Sequence, residues 1–206
     1  NDVTLKDVDG NTYETVTIGT VVWMAENLKT TKYNDGSVIP LVSDGDAWSK
    51  LTSPGYCWYN NDIKNKNDYG ALYNRYTVNS NKLCPAGWRL PSSGDWKSMI
   101  ALYNYKSKDG WEFDSIGGML KMADTLYWNS PNLSADNRLH FNAKGAGVRN
   151  GDGTFGLAGE MEFWWEVTNS AGGPFPVAWF IAYDTDKLYN DNYKYTLGFS
   201  VRCVKE

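Results

Sequence analysis

The sequence has one histidine, three cysteines and no long run of charge of either sign. With His140 alone, a zinc site built from several histidines is excluded. The formal charge is -4, and the lack of a basic run argues against nucleic acid as a partner. No stretch of about 18 apolar residues occurs, so the sequence predicts no membrane span.

Common catalytic motifs are also missing. The chain has neither a Gly-x-Ser-x-Gly nucleophile elbow nor a phosphate-binding Gly-Lys-Ser loop. A Cys/His nucleophile pair needs one of three cysteines, Cys57, Cys84 or Cys203, to meet His140 in space. We interpret His140 instead as part of a strand edge or a hydrogen-bonded turn.

Two pairs of acidic residues leave a hydrolase as an alternative, since a glycosidase can use two carboxylates. The pairs are Glu160 with Glu162 and Asp184 with Asp186. Such pairs more often belong to solvated faces or turns. We therefore expect no enzymatic activity.

Aromatic residues are abundant: they make up 15% of the 206 residues, with ten Trp and fourteen Tyr. Rings of this size bury large areas, so we expect most of them in a core. The remaining rings, among many Asn and Asp residues, suit the recognition of sugars or peptides. The length favours one domain over residues 1–206.

Short antiparallel strands are predicted at both ends of the chain. Apolar and polar residues alternate around Asp9-Gly10-Asn11, which predicts a hairpin, with a second turn at Gly19-Thr20. Residues 29–82 contain many turn-forming residues and predict mostly surface loops. Closing strands are expected in 176–184, 187–196 and 197–206.

Two helices are predicted between these strands. Pro91 ends an extended segment, Ser92 or Ser93 can cap a helix, and Asp95 complements its dipole. Its apolar stripe consists of Trp96, Met99, Ile100 and Tyr103. Residues 117–128 predict a second, shorter helix, whose inward residues are Met119, Leu120 and Ala123. Loops are expected after Trp128, so the fold class is α+β.

Six segments resemble the Fibrobacter succinogenes major paralogous domain, in order and over nearly the whole chain. They are residues 7–40, 69–79, 82–96, 117–128, 163–170 and 197–206. The resemblance implies a C-type lectin-like fold. It also implies an exported protein of the Bacteroidota type, at the cell surface or outer membrane. We expect a lipid anchor on an N-terminal segment that has been removed.

A more distant similarity links residues 89–96 to the formylglycine-generating and sulfatase-modifying enzymes, which share the lectin-like architecture. Those enzymes depend on a redox-active cysteine pair before the final strand. Here the corresponding segment, residues 178–196, contains no cysteine. This departure excludes their activity.

The implied export to an oxidising compartment favours a disulfide between Cys84 and Cys203. It would close a loop of roughly 120 residues and contribute on the order of 4 kcal/mol in the chain-entropy model. The alternative is that both cysteines are buried small hydrophobic residues. Cys57 is then a buried free thiol.

The resemblance places the recognition face on the loops of residues 129–192. These loops contain aromatic, cationic and amide side chains, which suit a saccharide because rings stack on sugar faces and polar groups bind hydroxyls. The candidate ligand residues are Trp164, Trp165, Trp179, Tyr183, Arg149 and Asn169.

Calcium is a possible cofactor, because acidic and amide side chains alternate in residues 43–48, 150–156 and 184–192. The candidate ligands are Asn150, Asp152, Asp184 and Asp186. The alternative is ordinary Asx turns. The Glu-Pro-Asn, Gln-Pro-Asp and Trp-Asn-Asp triplets of calcium-dependent lectins are missing, so their sugar site is not carried over.

The sequence therefore predicts a non-catalytic recognition domain for a glycan or glycoprotein. The main alternative is a structural or adhesive module that binds a protein at the cell surface. A carboxylate-dependent hydrolase is the third hypothesis.

Overall fold

The computed structural model describes residues 5–103, 109–169 and 175–206. Its strands are β1 (Leu5–Lys6), β2 (Thr12–Tyr13), β3 (Thr15–Ile18), β4 (Val21–Met24), β5 (Tyr56–Trp58), β6 (Ala71–Tyr73), β7 (Trp88–Arg89), β8 (Glu112–Phe113), β9 (Ala146–Arg149), β10 (Phe155–Ala158), β11 (Met161–Asn169), β12 (Pro176–Ala182), β13 (Leu188–Asn192) and β14 (Val204–Lys205). Its α-helices are α1 (Gly45–Ser49), α2 (Lys66–Tyr69), α3 (Arg75–Val78), α4 (Ser93–Ala101) and α5 (Ile116–Leu120). Single 3-10 turns lie at Tyr59–Asn61 and Ile63–Asn65. The predicted mixture of helices and short sheets is confirmed. The described residues form five α-helices, whereas the sequence predicted two.

The largest sheet has the strand order β10-β9-β11-β12-β13-β8. Its neighbours are antiparallel except β9 and β11, which pair in parallel. The sequence prediction of loops from residue 129 to the closing strands was therefore wrong, since β9, β10 and β11 lie there. The alternation typical of a half-exposed strand is missing from β11 because apolar rings lie on both of its faces.

Chain segments far apart in sequence meet in a second sheet, of order β3-β4-β14-β7. Val204 of β14 pairs with Trp23 on one side and with Arg89 on the other. The predicted disulfide is confirmed, with an S–S distance of 2.06 Å between Cys84 and Cys203. The predicted hairpins β1–β2 and β3–β4 are confirmed as well.

Helix α4 begins where the sequence predicts. Ser92 Oγ accepts a 3.3 Å hydrogen bond from the Asp95 amide, and the Asp95 carboxylate accepts a 2.7 Å bond from the Ser92 amide. This reciprocal capping box satisfies two amides at the helix start. The guanidinium of Arg89 donates to both carboxylate oxygens of Asp95, at 2.7 and 2.9 Å.

The predicted apolar stripe of α4 faces the large sheet. Trp96, Met99 and Ile100 are buried, and Tyr103 is half-buried. The ring of Trp96 stacks on Trp179 with centroids 5.3 Å apart. The helix thus covers one face of the sheet with aromatic rings.

One local expectation from the sequence was wrong, and another was incomplete. The second helix, α5, ends at Leu120, so Ala123 lies outside it and is exposed, while Met119 and Leu120 are buried as predicted. Most of residues 29–82 are exposed or half-buried, as expected, but the segment also contains buried strands: every residue of β5, including the free Cys57, is buried. Turn-forming residues mark changes of chain direction, but they do not determine what covers the segments between them.

Core side chains lie on both faces of the large sheet. Phe163 and Trp165 of β11 belong to one apolar cluster. Trp164 of β11 and Trp179 of β12 belong to a second cluster, on the opposite face. This follows from the two-residue period of a strand. Within the described ranges, none of the helices has the length and apolar character needed to cross a bilayer.

Candidate functional site

The three tryptophans predicted to stack on a sugar lie in the core. Trp164 and Trp165 have an exposed fraction of 0%, and Trp179 of 1%. Their prediction as ligand-binding residues was wrong, because a ring that is covered on both sides offers no face to a sugar. The physical reason is that β11 and β12 are central strands with a packed layer on each face.

The indole nitrogens of these tryptophans are engaged in structural hydrogen bonds. Trp164 donates to Asn27 Oδ1 at 3.1 Å, and Trp165 donates to the Tyr73 carbonyl at 2.8 Å. Buried polar groups require such partners. These bonds join the large sheet to other parts of the chain.

Arg149 is also buried, so its prediction as a sugar ligand was wrong. Its Nη1 donates to the Val42 carbonyl at 2.6 Å, and its Nη2 donates to the Ser43 carbonyl at 3.0 Å. The guanidinium lies over the rings of Trp48 and Phe155, 4.5 and 4.8 Å from their centroids. Arg149 therefore holds the loop before α1 against the sheet.

The other two candidate ligand residues have different positions. Asn169 is the last residue of β11, and its side chain lies outside the described part of the chain. Tyr183 is half-buried and follows the end of β12. It lines an open groove, which makes it the one predicted ring that a ligand can reach.

This groove, called here the tyrosine groove, has a volume of about 360 Å³. It lies where β11 begins and β12 ends. Its walls combine aromatic rings, one methionine and oxygen-bearing side chains. They are formed by Glu160, Met161, Phe180, Ala182, Tyr183, Asp184, Thr185 and Tyr189.

The pairing of β12 with its two neighbouring strands positions the aromatic rings that line the tyrosine groove. Phe180 in β12 pairs with Phe163 on one side and with Tyr189 of β13 on the other. The ring centroids of Phe163 and Phe180 are 5.3 Å apart, and those of Phe180 and Tyr189 are 5.0 Å apart with an angle of 12° between the planes. A stack that begins in the core thus continues to the groove. Cross-strand packing restricts the motion of its outer ring.

A buried ammonium holds the turn that carries Tyr183, Asp184 and Thr185. Lys121 Nζ donates to the carbonyls of Ala182 and Thr185 at 3.0 and 2.8 Å, and to a third carbonyl, that of Leu133, at 2.9 Å. Burial lowers the pKa of Lys121 to about 8, an effect opposed by Asp186 and Asp184. Sequence reasoning missed Lys121. A lysine directly after the apolar helix residues 116–120 was the available signal.

Two acidic side chains line the tyrosine groove. Glu160 is half-buried and Asp184 is exposed. The backbone amide of Tyr183 donates to the Glu160 carbonyl at 2.9 Å, which fixes the two sides of the groove relative to each other. Carboxylate oxygens can accept hydrogen bonds from hydroxyl or ammonium groups of a ligand.

Three of the four candidate metal ligands, Asn150, Asp152 and Asp186, form side-chain hydrogen bonds within the fold. Asp152 Oδ1 accepts from the Thr154 amide at 2.9 Å, which is an Asx turn. Asn150 Nδ2 donates to Thr154 Oγ1 at 3.1 Å. The Asp186 carboxylate accepts a 3.3 Å bond from Ser115. In the described ranges, no three His, Cys, Asp or Glu residues cluster closely enough to hold a metal ion.

Glu162, from the first carboxylate pair proposed for a hydrolase, is fully buried. Its Oε1 accepts from Asn27 Nδ2 at 2.7 Å and lies 3.8 Å from Arg202 Nη2. Its Oε2 accepts from the amides of Lys144 and Gly145 at 2.6 and 2.9 Å. Both oxygens are thus committed to the fold, and the expectation of a solvated position was wrong for Glu162.

The three cysteines are buried. Cys57 is buried and burial raises the pKa of its thiol to about 11, which disfavours the thiolate that a nucleophile needs. Cys84 and Cys203 form the disulfide. His140 is exposed, in a left-handed turn with φ of 51°. The interpretation of His140 as a turn residue agrees with this geometry.

Comparisons with known proteins identify a family but no individual relative. Residues 16–205 match the model of the Fibrobacter succinogenes major domain. Neither the curated proteins nor the solved structures give a match to the chain.

Proposed function

Since the chain belongs to the Fibrobacter succinogenes major domain family, whose model covers residues 16–205, we propose that it is a non-catalytic domain that recognises a saccharide. The sugar binds in the tyrosine groove, not at the buried tryptophans. The observation that carries the proposal is a groove of about 360 Å³ that combines three aromatic side chains with carboxylate and hydroxyl groups. Rings contact the apolar face of a sugar, while the oxygens orient its hydroxyls.

The proposal includes a C-type lectin-like architecture and a place at the cell surface. The pairing of β14 with β4 and β7 joins the last strand of the chain to an early one in one sheet, which supports that architecture. The disulfide supports an oxidising compartment, because such bonds persist mainly in exported proteins. Attachment to the outer membrane through a lipid anchor is part of the proposal.

A glycan array followed by calorimetry tests this function. Wild-type protein is compared with Tyr183→Ala and Tyr189→Ala, which remove the phenols that line the groove. We expect each variant to lose about fivefold to tenfold in affinity, because stacking of a ring contributes on the order of 1 kcal/mol. Folding is checked by circular dichroism.

The matched control is Tyr76→Ala. Tyr76 is also half-buried, but it packs against Tyr195, outside the groove. We expect this variant to keep wild-type affinity. Equal losses in all three variants, or no binding to any glycan by wild-type protein, contradict the saccharide proposal. The second result favours a protein partner, which pull-downs from cell surfaces would then identify.

A further inference from the structure

The charge of the tyrosine groove narrows the class of sugar that it can bind. Glu160 and Asp184 are its charged lining residues, and no lysine or arginine belongs to the described lining. Carboxylates are negatively charged at neutral pH. An acidic sugar is therefore repelled from the groove, whereas a cationic group is attracted to it.

The nearby cations do not compensate for these two carboxylates at the surface. Lys187 Nζ forms ion pairs with Glu112 and Asp114, at 3.0 and 3.3 Å. Lys121 is fully buried, and its ammonium donates to three backbone carbonyls beneath the turn. Neither ammonium extends into the groove lining.

Among the described residues, no hydrogen-bond donor or ion-pair partner contacts the side chains of Glu160 and Asp184. Lys121 attracts the Asp184 carboxylate only electrostatically, without a hydrogen bond. Their oxygens remain open to a ligand. The aromatic wall attracts cations too, because the face of a tyrosine or phenylalanine ring carries partial negative charge. Rings and carboxylates thus favour the same kind of group.

We propose that the tyrosine groove selects saccharides that carry a free, protonated amino group, such as oligomers of 2-amino-2-deoxyglucose. This inference rests on the proposed function and specifies its ligand. The sugar ring packs on Tyr183 and Tyr189, and the ammonium meets the carboxylates of Glu160 and Asp184. An N-acetyl group removes the charge, and a uronic acid reverses it.

Calorimetry with three oligosaccharides of equal length tests the selectivity. The probes are a free-amine glucosamine oligomer, its fully N-acetylated form and an oligouronate. We expect the free-amine oligomer to bind about tenfold more tightly than the acetylated one, since exposed ion pairs and cation–π contacts each add modestly to affinity. The preference should shrink when the salt concentration is raised from 50 to 300 mM.

Two charge-neutral variants locate the effect. Glu160→Gln and Asp184→Asn should each reduce the preference for the free amine by severalfold, because they weaken binding of the free-amine oligomer more than binding of the acetylated one. Asp46→Asn is the control, because Asp46 is an exposed acid in α1, outside the groove. It should keep the full preference.

The outcomes separate the inference from the proposed function. Equal affinity for the free-amine and acetylated oligomers overturns the amino-sugar inference and leaves saccharide recognition intact. Tighter binding of the oligouronate overturns the inference as well. A short lysine peptide that binds as tightly as the amino sugar shows that charge alone is recognised. Binding of no sugar at all contradicts both proposals.

Discussion

The indole nitrogen of Trp179 donates a 2.6 Å hydrogen bond to the Glu166 carboxylate. The second oxygen of that carboxylate accepts a 2.6 Å bond from Ser93 Oγ, at the start of α4. Glu166 is fully buried, and through it this bridge attaches the start of the helix to the sheet. A tryptophan that the sequence suggested for ligand binding is thus part of the framework.

Replacing Trp179 with alanine should destabilise the fold strongly. We expect Trp179→Ala to lower the free energy of unfolding by about 3–5 kcal/mol, because it leaves a cavity and removes a hydrogen bond from Glu166. Tyr189→Ala, at a half-buried position, should cost less than about half as much. Urea denaturation followed by circular dichroism measures both. Similar losses would contradict the assignment of these two rings to core and groove.

Removing Arg202 should leave a buried carboxylate without its ion-pair partner. Arg202 Nε donates to Asn27 Oδ1 at 2.8 Å, and burial lowers the pKa of Arg202 to about 10 against the opposing effect of Glu162. We expect Arg202→Ala to cost about 3–5 kcal/mol in unfolding free energy. Arg138→Ala is the control. It removes an exposed partner of Asp136 and should cost less than about 1 kcal/mol.

Loss of the disulfide should destabilise the domain through the unfolded chain. Cys84 and Cys203 are 119 residues apart, so the double Ser variant should lose about 4–5 kcal/mol in the chain-entropy model. Cys57→Ser leaves this cross-link intact and serves as the comparison. Alkylation in denaturant should label one thiol in wild-type protein before reduction and three afterwards. Three labelled thiols before reduction would contradict the pairing.

Acid should weaken the start of α4. Burial raises the pKa of Asp95, but hydrogen bonds from Arg89 and Ser92 outweigh burial and lower this pKa to about 2. The stabilisation is therefore complete above the unfolded pKa, near 4, and is lost as the pH falls towards 2. We expect Asp95→Asn to cost about 1 kcal/mol at pH 7 after allowance for solvent screening, and progressively less below pH 4.

Urea denaturation of wild-type protein and Asp95→Asn between pH 7 and pH 2.5 measures this difference. Asp46→Asn, in the first turn of α1, controls for the general loss of negative charge. A wild-type advantage that stays constant over the whole pH range would show that the Asp95 carboxylate is not the titrating group.

Much of the local structure follows from the sequence alone. Ser92 and Asp95 determine the start of α4, because a capping box depends on residues three positions apart. Gly10 and Gly19 adopt positive φ in the turns of the predicted hairpins, a conformation that glycine accepts without strain. The family resemblance and the Cys84–Cys203 pairing were likewise accessible from sequence.

Only the tertiary structure decided which of the aromatic and polar residues a ligand can reach. Trp164, Trp179 and Arg149 have the chemistry of a sugar site, yet they lie beneath layers contributed by distant segments such as α4 and the loop before α1. Phe180 and Tyr189 meet through the register of neighbouring strands. The sequence determined turns and caps because these depend on short spacings and on residue type, whereas the cross-link was predicted through the family resemblance. The reachable surface depends on which segments cover each face of the sheet, and short-range patterns do not contain that information.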